Sequence, residues 1–318
     1  MRYRTLGSLQ VSAIGFGAMP LSIEGHPDER QAIATVHAAL DAGVTLIDTA
    51  DSYYPPGGEP GAGELLVRRA LAAYGGDMDS VLVATKGGRG RTADGGWTVN
   101  GDPHHLKQAA RRSLDRLGVA AIGLYQLHKP DPSVPYADSL GALQELLAEG
   151  TIRFAGISNA DAAQIRLARQ MLGERLVSVQ NRYSPAVRDS EAELRLCAEL
   201  GLAFLPWSPL GGISRSSLDG PSGLNGATGA AGAGPEVTGP YAAFHQVARE
   251  RGVSPQQTAL AWLLAKSPAV IPIPGASRPH TIRNSAAAAG LTLSAPELAA
   301  LDASSANGSD GSEAAIRS

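Results

Sequence analysis

Residues 44–86 read "VTLIDTADSYYPPGGEPGAGELLVRRALAAYGGDMDSVLVATK". A β-branched run, "VTLIDTA" (44–50), ends in polar residues, and Pro and Gly then break the chain. "GAGELLVRRALAAYG" follows with helical spacing, and "VLVATK" (81–86) is a second β-branched run. Strand, helix and strand in that order make two parallel strands joined by a crossover helix. The same alternation covers most of the chain. Further strand candidates are "IGFGAM" (14–19), "IGLYQLH" (122–128), "IRFAGIS" (152–158), "LVSVQN" (176–181), "AFLPW" (203–207) and "VIPIPG" (270–275), eight runs in all. Amphipathic segments such as "DERQAIATVHAALDAG" and "HHLKQAARRSLDRLG" lie between them. Gly43, Gly118 and Gly150 close three of these segments, as helix C-caps do. Eight units predict an α/β fold of the (β/α)8 TIM-barrel type, whose usual size is about 250 residues plus insertions. The opening "YRTLGSLQVSAIGFG" turns at "GS" and predicts an N-terminal β-hairpin before the first strand. A doubly wound sheet would instead carry a G-x-G-x-x-G turn after strand one. "GFGAMP" (15–20) has two of those glycines and lacks the third.

The chain has 318 residues, 43% of them hydrophobic, and a formal net charge of −3. That composition supplies a sizeable core and points to neither nucleic acid nor an anionic membrane surface. The N-terminus has no long apolar segment of the signal-peptide kind, and "ALAWLLA" (259–265) is too short to span a bilayer. A cytoplasmic enzyme-sized protein is expected, with one barrel domain over residues 1–303. Residues 211–240, rich in Gly, Ser, Ala and Pro, predict a long flexible loop after strand seven, and 304–318 a disordered tail. Cys197, the one cysteine, lies in a helical pattern and reads as a buried structural thiol. His104 and His105 are the one adjacent histidine pair, without further ligands at metal-site spacing, so no metal is expected.

Active sites of such barrels form at the C-terminal ends of the strands. Side chains alternate along a strand, so one face of "TLIDTA" carries Leu46, Asp48 and Ala50. One face of "VLVATK" ends in Lys86, and one face of "IGLYQLH" in Gln126 and His128. Three successive strands thus each bring one ionisable group to the same rim. Singly, Asp48 reads as a turn cap, Lys86 as a solvated lysine and His128 as a core histidine; together they suit proton transfer. A tyrosine at this rim, Tyr53 or Tyr54, would be an acid of pKa near 10. A lysine cation beside it is expected to lower that value.

The fragments "DTADSYY", "VATKGG", "LYQLHKPDP", "AGISN", "SVQNRYSP", "LPWSPLGG" and "IPIPGASRP", in that order, resemble the aldo-keto reductase superfamily from Arg4 to Leu301. The likeness is greatest to bacterial aldehyde reductases similar to pyridoxal reductase. The resemblance implies a TIM barrel that binds NADP(H) and an Asp-Tyr-Lys-His tetrad of Asp48, Tyr53, Lys86 and His128, since the family's tyrosine lies five residues after its aspartate. It implies NADPH-dependent reduction of an aldehyde or ketone, with Tyr53 as proton donor and His128 orienting the carbonyl. It also implies that Ser158, Asn159 and Gln180 hold the nicotinamide carboxamide and that Trp207 stacks on the ring. Ser208, Leu210 and Gly211 would line the pyrophosphate, Ser277, Arg278 and Arg283 the 2′-phosphate, and Asn284 the adenine. Tyr54 and Trp97 would wall the substrate pocket, in loops beyond the strand ends. The alternative is a non-enzymatic, nicotinamide-nucleotide-binding regulatory subunit on the same barrel.

Overall fold

The computed structural model describes residues 1–76, 78–211, 218 and 241–306. The expected loop at 211–240 and tail at 304–318 fall largely outside the described residues, although the last helix continues to Ala306. Strands β1 (Tyr3–Leu6) and β2 (Leu9–Ser12) pair antiparallel as the expected hairpin. The barrel strands are β3 (Phe16–Gly17), β4 (Leu46–Asp48) and β5 (Leu82–Gly87). A short antiparallel pair follows, β6 (Arg89–Arg91) and β7 (Trp97–Val99), inside a stretch expected only as a loop. Strands β8 (Ile122–Leu127), β9 (Ile152–Ser158), β10 (Leu176–Gln180) and β11 (Ala203–Phe204) continue the barrel. The seven strands form one parallel sheet in the order β11-β10-β9-β8-β5-β4-β3.

The helices between them are α1 (Glu29–Asp41), α2 (Ala62–Ala73), α3 (Pro103–Leu117), α4 (Tyr136–Ala148), α5 (Ala162–Leu172) and α6 (Glu191–Glu199). After β11 come α7 (Ala242–Arg251), α8 (Pro255–Lys266), α9 (Pro279–Ala287) and α10 (Ala295–Ala306). Local chemistry sets their ends. Asp28 and Asp102 accept amide hydrogens at the starts of α1 and α3, and Pro103 fits the first turn, where its missing N–H costs nothing. Capping boxes open α5 (Asp161 with Gln164) and α8 (Ser254 with Gln257).

The eighth expected strand, "VIPIPG", forms no regular ladder, yet it closes the barrel. The Ile271 and Ile273 amides donate to the carbonyls of Phe204 and Pro206, at 2.9 and 3.4 Å. On the other side the carbonyls of Pro272 and Pro274 accept from Gly15 and Gly17, at 2.9 and 3.0 Å. A parallel strand presents a donor and an acceptor alternately to each neighbour, and proline offers only the acceptor. The seam toward β3 therefore carries half of its normal ladder, which is why the stretch bonds as a stave without ladder regularity. Inside the barrel, Leu46, Leu82, Leu124, Val177, Leu205 and Ile271 form one apolar cluster with Leu6 and Val11 of the hairpin. The hairpin thus plugs the N-terminal end.

Gly17 sits where the seam is tightest: a Cβ there would lie 2.8 Å from the Ile273 carbonyl oxygen. That neighbour is backbone and cannot swing aside. Gly17→Ala should lower stability by roughly 1–3 kcal/mol, the usual penalty of overpacking, read as a drop in the thermal midpoint. An unchanged midpoint would show that the seam has slack.

Candidate active site

The barrel interior changes character along its axis. Above the apolar layer, the same inward faces present Asp48, Lys86, Gln126, Ser178 and Gln180, all buried. Lys86 is fully enclosed, at 0% exposure, although it carries a charge. An ammonium has three donors, and here each has an acceptor. Lys86 Nζ lies 2.5 Å from Asp48 Oδ1, 2.9 Å from the Thr49 carbonyl oxygen and 3.3 Å from Tyr53 Oη. The other carboxylate oxygen of Asp48 accepts from Gln126 Nε2 at 3.1 Å and from Gln180 Nε2 at 2.9 Å. Such pairing is what makes a buried ion pair tolerable, since desolvation costs several kcal/mol per unpaired ion.

Backbone size matters in this layer. Gly156 of β9 faces the Gln126 and Ser178 side chains, and a Cβ there would come within 2.4 Å of Ser178 Oγ and 2.8 Å of Gln126 Cγ. Gly156 therefore leaves the room in which Gln126 reaches Asp48.

Tyr53 reaches the lysine from the loop after β4. That loop is pinned by backbone bonds: Asp51 N to the Lys86 carbonyl at 3.1 Å, Gly61 N to the Asp51 carbonyl at 2.7 Å and Gly63 N to the Tyr53 carbonyl at 3.1 Å. Tyr53 is buried, and its ring stands edge-on to His128 with centroids 5.7 Å apart. Tyr54, one residue on, is half-buried and makes no hydrogen bond to Lys86. Of the two tyrosines, the structure brings Tyr53 to the lysine. His128 Nδ1 lies 3.4 Å from Ser52 Oγ.

Burial and neighbouring charges set the protonation of the cluster. Burial raises the Tyr53 pKa, and Lys86 lowers it by less, so the phenol ends above its ordinary value. The expected net lowering of the Tyr53 pKa is thus corrected: the lysine offsets part of a larger desolvation effect. Burial pulls Lys86 down, but Asp48 and Tyr53 together bring it above its ordinary value, so the amine stays charged. Burial first, then Lys86 and Arg89, push the His128 pKa well below that of a free imidazole, so the ring is neutral at physiological pH. The arrangement is a neutral phenol in contact with a fixed cation, beside a neutral imidazole: a proton donor, with charge ready to stabilise its conjugate base.

The residues expected to hold a nucleotide divide into three groups. At the rim, Asn159 takes a left-handed backbone (φ 56°) and bonds the His128 carbonyl at 2.9 Å, while the Trp207 indole N–H donates to Asn159 Oδ1 at 3.2 Å. Ser208 is also left-handed (φ 46°), an uncommon state for serine that turns the chain sharply after Trp207. Trp207, Leu210 and Gly211 stay partly exposed there. Arg278 and Ser277 lie at the same end, just before α9, where no side chain caps the helix. Arg278 is exposed, and among the described residues its guanidinium has no hydrogen-bond or ion-pair partner. An uncapped helix start with a neighbouring arginine suits a phosphate.

The second group is engaged elsewhere. Gln180 spends its amide on Asp48, and Ser158 donates to the Gln180 carbonyl at 2.6 Å. Asn284 donates to Ser254 Oγ, the cap of α8, at 2.8 Å. The third is apart: Arg283 lines a depression with Met1, Ala42 and Gly290, at the opposite end of the barrel. Another open depression, of about 330 Å³, lies beyond Asn159 against Asp161, Asn181, Arg182, Asp189 and Glu193, and neither Tyr53 nor His128 lines it. Two positions escaped the sequence reading as partners of the site. Gln126 lies two residues before His128 on the same strand face, which is the signal that could have found it. Arg89 stacks on Trp97, 4.4 Å from the ring centroid, with Arg91 at 4.2 Å. Trp97 packs against the apolar cluster of Ile23, Ala50 and Tyr53. Cys197 is buried in α6, its thiol pushed up to about 12 by burial and then by Glu193.

The aldo/keto reductase family model matches residues 13–306. The chain belongs to the aldo/keto reductase family. It is 35% identical over 301 residues to an uncharacterized oxidoreductase of Schizosaccharomyces pombe, covering 93% of this chain and 88% of that one. A glycerol dehydrogenase structure from Gluconobacter oxydans superposes with a TM-score of 0.79 at 26% identity, covering 99% of each chain. A Klebsiella pneumoniae aldo-keto reductase, solved in complex with NADPH, gives a TM-score of 0.73 at 28% identity and covers 95% of each chain. The barrel of this aldo-keto reductase is thus shared with solved relatives.

Asp51, in the Tyr53 loop, has a buried Oδ1 without a hydrogen-bond partner. Burial, then the nearby Glu64, raise its pKa from 3.8 to about 8. Above pH 3.8 the unfolded chain releases this proton while the folded chain keeps it until about 8, so stability falls across that interval. Asp51→Asn should flatten the loss. The thermal midpoint of the wild type is expected to fall by on the order of a few degrees more than that of the variant from pH 5 to pH 8; parallel profiles would sink the assignment.

Proposed function

We propose that this aldo-keto reductase reduces an aldehyde or ketone to the alcohol with NADPH, using Tyr53 as proton donor. The observation that carries the reading is the enclosed Lys86, bonded at once to Asp48 and to the Tyr53 hydroxyl. The rim supports NADP(H): Trp207 is partly exposed, two left-handed residues flank it, and the Arg278 guanidinium is unengaged beside an uncapped helix. Relatives solved with NADP or NADPH support the same choice.

In this reading Asn159 and Trp207 would hold the nicotinamide end, and Ser277 with Arg278 the phosphate end. Ser158 and Gln180 would frame the carboxamide only through groups left over from their bonds to protein. When bound, the reduced nicotinamide supplies a hydride to the carbonyl carbon. Tyr53 donates its proton to the carbonyl oxygen as negative charge grows there. The neutral His128 orients that oxygen toward the phenol and stabilises the developing charge by hydrogen bonding. Lys86 stabilises the phenolate left behind, and Asp48 with its two glutamines keeps the ammonium in place. The raised Tyr53 pKa keeps the phenol protonated and ready to donate.

Tyr53→Phe should lower the NADPH-dependent rate by roughly 10²- to 10⁴-fold, the usual contribution of a positioned acid, with cofactor binding retained. Tyr54→Phe should keep most of the rate; the reverse pattern would move the acid to Tyr54. Arg278→Ala should weaken NADPH binding about tenfold, as loss of a charged hydrogen bond does, and leave NADH binding nearly unaffected. Equal losses for the two nucleotides, measured by fluorescence titration, would place the 2′-phosphate elsewhere.

A further inference from the structure

Beside the Tyr53 cluster lies a cation that the proton-transfer machinery does not use. Arg89 begins the short strand pair after β5, three residues beyond Lys86. Its guanidinium lies on the Trp97 ring, and that ring packs against the cluster containing Tyr53. Stacked on Trp97, Arg89 therefore stands on the Tyr53 side of the barrel mouth, and its charge lowers the pKa of both Tyr53 and His128. Arg89 is half-buried, its Nε is buried without a hydrogen-bond partner, and among the described residues it forms no ion pair. The carboxylates nearby are committed: Glu24 is bound to Arg91, and Asp48 to Lys86, Gln126 and Gln180. A half-buried, unneutralised guanidinium is costly unless something anionic completes it. Its forked donors match a carboxylate or a phosphate. Trp97 fixes the plane of the fork by stacking.

We infer that Arg89 is a specificity residue for the anionic group of the substrate, so that this enzyme prefers carbonyl compounds carrying a carboxylate or phosphate over neutral ones. The inference rests on the carbonyl-reductase reading above. The carbonyl meets Tyr53 and His128, the intervening carbon atoms lie along Trp97, and the anion pairs with the Arg89 guanidinium.

The test compares kcat/KM with NADPH for matched pairs: succinic semialdehyde against butanal, 4-formylbenzoate against its methyl ester, and glyceraldehyde 3-phosphate against glyceraldehyde. In at least one pair the anionic member should be preferred about tenfold or more, mainly through KM, the scale of one charged hydrogen-bonded contact. Preference in the first two pairs assigns a carboxylate; preference in the third alone assigns a phosphate. Arg89→Gln should bring the ratio toward unity, and Arg89→Lys should keep part of it. Should the glutamine variant fold poorly, ionic strength serves instead, since added salt should erode kcat/KM for the anionic member selectively. Ratios near one in the wild type, or ratios that survive Arg89→Gln, overturn the inference while neutral carbonyls are still reduced. If NADPH binds and no carbonyl compound of either kind is reduced, the reductase reading falls and this inference with it.

Discussion

A charged lysine enclosed in the barrel must have all three of its protons accepted, and much of the site follows from that requirement. One acceptor is a carboxylate, one a backbone carbonyl, and one the phenol that would do the chemistry. The carboxylate needs partners of its own, and two glutamines from β8 and β10 provide them. Four strands and one loop therefore converge on a single ammonium. Moving any of them would leave a buried polar group unpaired, at a cost of about 1–3 kcal/mol or more. The same cluster thus holds the upper barrel together and fixes the Tyr53 phenol. Desolvation outweighs the lysine's pull on the phenol, so the site stores a proton on Tyr53 rather than releasing it.

Much of this was legible in the sequence because both signals involved are short-range. Alternation along a strand put Asp48, Lys86 and His128 on inward faces, and repeated strand–helix units gave the barrel. The five-residue spacing from Asp48 to Tyr53 came through family resemblance, and the pinned loop after β4 does carry that tyrosine to Lys86. What escaped the sequence depends on contacts between distant segments. Gln180 is expected at a carboxamide, and only the convergence of β4 and β10 ties it to Asp48. Asn284 was drawn to the cap of α8, a partner 30 residues away. Arg283 has suitable chemistry, but its position along α9 sets it beside Met1 and Gly290, near the hairpin end. The net direction of the Tyr53 pKa was missed because enclosure is a property of the whole packed rim.

The seam and the mouth show how irregular backbone serves a regular barrel. The Ile-Pro-Ile-Pro stretch closes the wall with only acceptors toward β3, and Gly17 lets the two backbones come close. Past the wall, the short β6–β7 pair gives an expected loop a hydrogen-bonded ladder. It holds Trp97 and two arginines against the Tyr53 cluster.

The β1–β2 hairpin gives the barrel a floor. Leu6 and Val11 merge with the inner apolar layer, so the cavity beneath Lys86 is solid and the barrel is a cup rather than a tube. Any two molecules that meet at Tyr53 must use the same opening. Entry from the hairpin end is closed by a four-residue strand pair far from Lys86.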